Sequence, residues 1–517
     1  MTFGAIGGAQ AIKKGGDLNF VVGSKIPSYD GHVETTFGMI HPIRPFYSLL
    51  IRVNPDEPTS PDFVCDLCEG DVPKGEDGGK SFTFKIRTGV KFHDGTPLTA
   101  ADVAATFNKI IFPPEGAASS RKAYFRMVES VTAPDATTVV FKLKFPSGAF
   151  MPAVAMPFNF VYSKKDLDTH GYAWHKKNIN GTGAFSFVEH QPGAFVKGKK
   201  YADYHHKGKP YIDGFTSISA PKMALRLQAI RGDRASIEFR GFPPKARDDL
   251  KRALGDQVNV QEGDWNCSLF MTPNQLTKPF DDPRVRRALN LALDRWGGSK
   301  YLSRIAIVKT VGGVAFPGHP LATSNAELEK TEGYWKDIKK SRELAKKLLA
   351  EAGHPNLKFT LTNRAVDQPY KVVGTWAIDQ WKKIGVSAKQ EAVPTGVWMS
   401  RRRQTRDFDV ASDANCQAVV NPIADVSKFL CGTGSNYTNC KDPKLDELYD
   451  KMLRSGSIEE QKKIMREYEI QALQTQAHMI TTLWWYKINV YRSYVKGWKI
   501  SPSHYLNQHL DNVWLDK

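Results

Sequence analysis

His93 and Asp94 stand side by side in "RTGVKFHDGTPLTAADVAATF" (87–107), with Asp102 a short way on. A histidine beside a carboxylate is the material of general acid–base catalysis, and a His/Asp cluster is the material of a metal site. The local pattern assigns most of these residues to structure instead. Thr99, then Asp102, then an apolar face of Val103, Phe107 and Ile110 make a capping box. Its carboxylate falls in the first turn, where the helix dipole favours it. Asp94-Gly95 is a turn dipeptide, and Pro97 restricts the chain ahead of the helix. His93 remains as a lone histidine beside a turn, with no partner nucleophile or ligand cluster. It reads as a hydrogen-bonded structural residue, and no catalytic residue is assigned.

The cysteines offer the other chemistry. Cys65 and Cys68 form "CDLC". A redox pair would open a helix in an α/β setting, whereas "PDFVCDLCEGDVPKGEDGG" reads as loop. A thiol-redox enzyme using Cys65/Cys68 is therefore the minor, enzymatic alternative. A zinc site would need close-spaced ligands, and no second CxxC or HxxxH accompanies the first. His205-His206 and His190 are the noteworthy histidines and give a weak ligand signal, so neither metal nor cofactor is expected. Cys431 and Cys440 bracket the Gly/Ser/Asn-rich "CGTGSNYTNC", which reads as a disulfide loop worth about 2.5–3 kcal/mol by chain entropy. Cys267 and Cys416 either pair or stay free. An even cysteine count with a disulfide points to an oxidising compartment.

The chain of 517 residues exceeds one ordinary core and implies two or three domains. Hydrophobic residues at 41% are a normal globular supply, which argues against disorder. No apolar run reaches the roughly 18 residues of a membrane span. The start, "MTFGAIGGAQAIKKGGDLNF", lacks the apolar core of a signal peptide and is expected to be a mature, exported chain without its leader, hence periplasmic. The formal net charge is +18. The tightest basic cluster is Arg401–Arg403 with Arg406, and elsewhere acids interleave with bases. With no basic tail and no RNA-binding aromatic signature, nucleic acid is not an expected partner.

Elements to position these residues are legible from periodicity. "DLNFVVGS" is a buried strand. "SFTFKIR" and "TTVVFKLK" alternate with period two, and "TGAFSFVEHQPG" with "AFVKGKK" forms a hairpin turning at Pro192-Gly193. The first half is thus mixed α+β. After about residue 265 the pattern changes. "FDDPRVRRALNLALDR" is a helix capped by Asp282, with Pro283 at its first position and Val285, Ala288, Leu289 and Ala292 on one face. Helix and strand then alternate through "LKFTLTN", "YKVVGTWAIDQWKKIGV", "SAKQEAV" and "WMSRRRQTRDFDVASDA", as in an α/β domain. Two helices follow within 442–477, and the chain ends in strand-like "HMITTLWWYKINVYRSYVKGW".

The stretch "GKSFTFKIRTGVKFHDGTPLTAADVAATF" resembles the signature of the extracellular solute-binding proteins of family 5, the peptide, oligopeptide and nickel receptors of ABC importers. "NINGTGAFSFVEHQPG", "NCSLFMTPNQLTKPFDDPRVRRALNLALDR", "KKIGVSAKQEA" and "FLCGTGSNYTNCKDPKLDELYDKM" are similar to further family segments in the same order. The resemblance covers roughly 17–500. It implies a two-lobed α/β fold of the periplasmic-binding-protein type, with two hinge crossings and an extra α+β subdomain on lobe I. Lobe I would comprise 1–265 and 485–517, with the subdomain at about 44–178, and lobe II would comprise 266–484. The crossings would lie near Cys267–Pro273 and Thr482–Tyr486. The implied function is capture of a peptide or other small organic solute between the lobes by hinge closure, and delivery to a membrane permease by a monomer. A receptor for a non-peptide ligand (an aromatic or organic acid, an opine or a metal chelate) is the alternative.

The same resemblance directs attention to the site. Dipeptide-binding members hold the peptide amine with an aspartate before a proline. Here the matching position is Asn421 before Pro422. Their carboxylate-binding arginine precedes a Pro-Tyr pair, where this chain has Gln368, with Arg364 just upstream. Both changes forfeit a charge-assisted bond, which implies a less zwitterionic ligand or one held by its backbone. One or two of Trp484, Trp485 and Tyr486 are expected to face the cleft. Ser24, Tyr29 and Asp30 after the first strand, Trp398, and Asp413 as the charge available to a cationic group complete the expected ligand-binding set.

Overall fold

The computed structural model describes residues 11–57, 62–417, 421–433, 436–503 and 505–517. The first ten residues of the expected mature start, and the stretch just before Asn421, lie outside the described residues. The molecule is two-lobed. One mixed sheet runs through both lobes in the order Ser387–Val393, Lys358–Arg364, Val410–Cys416, Val258–Pro273, Ile480–Arg492, Ile237–Glu238, Asp17–Val22, Gly214–Ser219, Phe195–Lys200, Phe185–Gln191. Its two central strands, Val258–Pro273 and Ile480–Arg492, pair antiparallel.

Each lobe has its own apolar core. In one, Phe20, Phe46, Phe185, Phe215 and Phe239 pack between sheet and helices. In the other, Trp265, Leu289, Phe359, Trp381 and Trp485 do so. The helix Pro283–Leu291 forms as its sequence dictates. The Asp282 carboxylate accepts from the Arg284 backbone N–H at 2.7 Å, and Val285, Ala288 and Leu289 are buried. A separate antiparallel sheet of Ser81–Lys85, Thr138–Leu143 and Val128–Asp135 carries the helix Ala100–Ile111. Its core of Phe84, Phe107, Phe141 and Phe150 is continuous with Phe429, Leu445 and Tyr468 of the C-terminal helices. Arg126 reaches across the same contact to Asp446 (2.6 Å) and Asp450 (3.1 Å).

The first chemical candidates become structure. The Asp102 carboxylate accepts from the Thr99 backbone N–H (2.7 Å) and hydroxyl (2.9 Å), and its other oxygen accepts from the Lys164 N–H (2.7 Å). Asp94 accepts from the Thr96 N–H at 3.0 Å and closes the turn. The His93 Nε2 meets the Gly183 carbonyl at 3.0 Å, and burial lowers its pKa to about 4, so it stays neutral. His93 therefore clamps the 87–107 stretch onto "GTGAF". That segment needs its glycines because the 45–47 backbone lies against it. A Cβ on Gly183 would sit 2.4 Å from the Pro45 oxygen and 2.5 Å from the Tyr47 nitrogen. Backbone cannot yield as a flexible side chain can, so Gly183→Ala should cost about 1–3 kcal/mol or more. Gly148→Ala, where nothing lies within 4 Å of the added carbon, should stay within about 0.5 kcal/mol. Chemical denaturation of the two variants checks this, and equal stabilities would refute the packing argument.

Candidate functional site

Between the lobes lies a cavity with about 750 Å³ of non-atom space, part of it open to solvent. The topology explains its position. Lys358–Arg364 and Ser387–Val393 are parallel, as are Asp17–Val22 and Ile237–Glu238. Ligand crevices in such sheets form beyond the carboxyl ends of the strands. Those ends deliver Arg364 and Trp398 from one lobe, and Ser24 and Arg240 from the other. Thr36 caps the helix Phe37–Ile43 by accepting from the Gly38 N–H, which sets the Phe37 ring on the cavity wall. The strand Val410–Cys416 supplies Asp413 to the floor.

A second device is the bulge between the central strands. Asp264 pairs with Tyr486 and Ser268 with Trp484, so three residues on one strand face one on the other. Bulges bend a strand and re-aim a side chain. Here the single opposing residue is Trp485, which lines the cavity. Of the three expected aromatics it alone does so. The Trp484 indole N–H donates to the Gly313 carbonyl at 3.2 Å, and Tyr486 lies under Lys309 on an outer groove.

The remaining expected site residues divide in the same way. Arg364, Trp398 and Asp413 line the cavity. Ser24 stands at its edge, its hydroxyl 3.4 Å from an Arg364 nitrogen. Asp30 is instead buried against Lys109 (3.2 Å), the Tyr162 hydroxyl (3.0 Å) and the His32 N–H (2.9 Å). Tyr29 bonds His190. The Gln368 side chain is taken up by the 305–307 backbone. Asn421 caps the short helix Pro422–Asp425, accepting from the Ile423 N–H at 3.0 Å. Asp413 also departs from the expectation of an available charge. Arg402 lies 2.6 Å and Lys428 3.1 Å from its carboxylate. Burial pushes its pKa up, but the two cations outweigh burial and hold it below the usual range.

Sequence reasoning missed several wall residues. Arg402, the middle of the basic triplet, is buried with its guanidinium 3.6 Å from both the Trp398 and Tyr437 ring centres. Tyr370 lines the cavity two positions after Gln368, and Asp425 lines it four after Asn421. The motifs therefore pointed to the right segments and the wrong side chains. Arg121, Phe158 and Tyr505 had no sequence signal. The cysteines all pair: Cys65–Cys68, Cys267–Cys416 and Cys431–Cys440. Cys416 is on the cavity wall. His205 and His206 both lean on Asp66 (3.3 and 2.9 Å), between the first pair and away from the cavity.

Residues 64–437 match the family described as bacterial extracellular solute-binding proteins, family 5. The chain belongs to that family. It is 29% identical over 335 residues to the glutathione-binding protein GsiB of Escherichia coli K12, a match covering 62% of this chain and 59% of that protein. It is 25% identical over 397 residues to the periplasmic oligopeptide-binding protein OppA of the same strain, covering 72% and 71%. The structure of the E. coli murein tripeptide binding protein MppA superposes with a TM-score of 0.86 at 19% identity, covering 98% and 99%, which shows the shared fold. The family is a class of non-enzymatic binding proteins. Among the described residues no helix is long and apolar enough to cross a membrane.

The Asp413 pairing has a measurable consequence. A carboxylate whose folded pKa lies below its unfolded value adds stability above the unfolded value, and loses it as pH falls through the folded one. Asp413→Asn leaves Arg402 and Lys428 buried without a counter-charge and should cost about 3–5 kcal/mol at neutral pH. The variant should also lose less stability than the parent on going below pH 4. Urea titrations at pH 7 and pH 3 read both effects, and parallel pH profiles would refute the assignment.

Proposed function

We propose that this protein is the solute-binding component of an ABC importer, without catalytic activity. It captures a peptide or another small organic solute in the interlobe cavity and presents the closed form to a membrane permease in the periplasm. The lobes divide near residues 265 and 485. The observation that carries this reading is that both lobes build one wall. Arg364 donates to Ser24, Arg403 to Thr35 (3.3 Å) and Arg240 to the Gln368 carbonyl (2.8 Å), each bond crossing the cleft. Closure therefore exchanges solvent for cross-lobe bonds, and a ligand touching both walls favours it by its differential affinity for the closed state. Peptides are the favoured solutes because the matched relatives are named for glutathione and oligopeptides.

A melting screen with reduced glutathione, trialanine and pentaalanine tests the reading. A bound peptide at 100 times its Kd should add about 2.7 kcal/mol of stability. Small-angle scattering should show the radius of gyration fall on binding. No response to any peptide, with a response to a non-peptide acid or chelate, would replace the peptide reading by the receptor for another solute.

A further inference from the structure

The cavity wall holds more positive charge than its own acids can neutralise. Four cationic side chains line it (Arg121, Arg364, Arg402 and Lys428) against two acids, Asp413 and Asp425. Asp413 already serves Arg402 and Lys428 together. Among the described residues no carboxylate forms a salt bridge with Arg121, Arg364 or the adjacent Arg240, although Glu238 acts on Arg240 and Asp30 on Arg121 from longer range. Arg121 donates to the carbonyls of His32 and Glu34. Arg364 reaches only hydroxyls, those of Ser24 and Thr395.

These guanidiniums form a row, held apart by rings. Arg240 lies 3.9 Å from the Phe37 ring centre and 5.1 Å from that of Trp485. Arg364 shares Phe37 at 5.5 Å and meets Trp398 at 5.6 Å. Arg402 stacks on the other end of the row at 3.6 Å from Trp398. Rings soften the cost of a desolvated cation but do not neutralise it. A buried charge without a counter-charge is expensive, and neighbouring like charges add to the cost.

The unused hydrogen-bonding groups point the same way. The Nε and Nη1 of Arg240 and the indole N–H groups of Trp398 and Trp485 are buried without partners. All are donors. A cavity lined by idle donors and excess cations is complementary to acceptors and negative charge. The same cations act on Tyr437. Burial alone would raise its pKa, yet Arg402, Arg403 and Lys428 bring it below the usual phenol value.

We propose that the cavity selects an acidic ligand, one with more acidic than basic groups, and that a carboxylate of it sits against Arg364. This deepens the proposed solute-binding function and rests on it. A zwitterion with equal charges would bring a cationic amine to a wall whose Asp413 is already taken. An acidic peptide such as one rich in glutamate would match both the excess cations and the idle donors.

Calorimetric titration of the whole protein with matched acid and amide probes tests this: Glu-Glu against Gln-Gln, and glutarate against glutaramide. Glu-Glu should bind at least tenfold tighter than Gln-Gln, and the advantage should shrink with added salt. Arg364→Gln should cut that ratio to near unity, and Arg364→Lys should keep part of it. The wild-type ratio needs no variant, so a misfolded substitution leaves the inference testable. Gln-Gln binding as tightly as Glu-Glu would overturn the acidic ligand and leave the peptide reading standing. Glutarate binding in preference to glutaramide, with neither peptide bound, would uphold the acidic ligand and remove the peptide. Equal responses within both pairs, including none, would overturn the inference.

Discussion

The antiparallel pairing of Val258–Pro273 with Ile480–Arg492 is the constraint on which the architecture depends. These strands belong to the cores of both lobes and, among the described residues, supply the register the two halves of the sheet share. Ladder hydrogen bonds resist sliding, because a one-residue slip would turn every buried side chain to the opposite face. They resist bending less where the register is broken, and the breaks fall at Asp264–Ser268, opposite Trp485, and at Ser268–Phe270. An irregular point of the ladder and an aromatic wall of the cavity therefore coincide. The Cys267–Cys416 bond ties the same point to the strand that carries Asp413. It joins residues 149 apart in sequence, a loop whose closure in the unfolded chain is worth about 5 kcal/mol in the chain-entropy model.

That anchoring explains how a cavity so rich in cations can exist in a folded chain. Arg402 is held by Asp413 and by two rings, Arg121 by two carbonyls, and Arg240 by one carbonyl and the rings around it. Each interaction offsets only part of the desolvation cost. The balance has to come from the apolar cores, which meet the cavity at rings such as Phe37, Phe158 and Trp485, and from the disulfides, one of which touches it at Cys416. Stability is supplied away from the site and spent at it, as expected where binding needs a surface that is poor for folding.

The fold was legible wherever one local rule acted alone. The Asp282-capped helix, the alternating strands around Phe84 and Phe141, and the Thr99–Asp102 box formed as read, because capping and periodicity are decided within a few residues. The family segments carried the two-lobed arrangement, which no local rule contains. The site was legible only as segments. Arg364, Trp398, Asp413 and Trp485 reach the cavity, but Gln368 and Asn421 sit in the motif positions and turn to backbone partners instead. Arg402 misled in the opposite sense. A basic triplet reads as solvated surface, and only the fold shows that Trp398 and Tyr437 close over its middle member.

Gln368 and Asn421 are both neutral and both bound to backbone groups, so neither adds a charge to the wall beside Arg364 and Arg240. The short helix that Asn421 caps, Pro422–Asp425, supplies one of the wall's two acids, Asp425. The cross-lobe bonds are accepted by the Ser24 and Thr35 hydroxyls and the Gln368 carbonyl, and donated by Arg364, Arg403 and Arg240. Arg364 therefore serves both closure, through Ser24, and the proposed recognition of a carboxylate on the same wall.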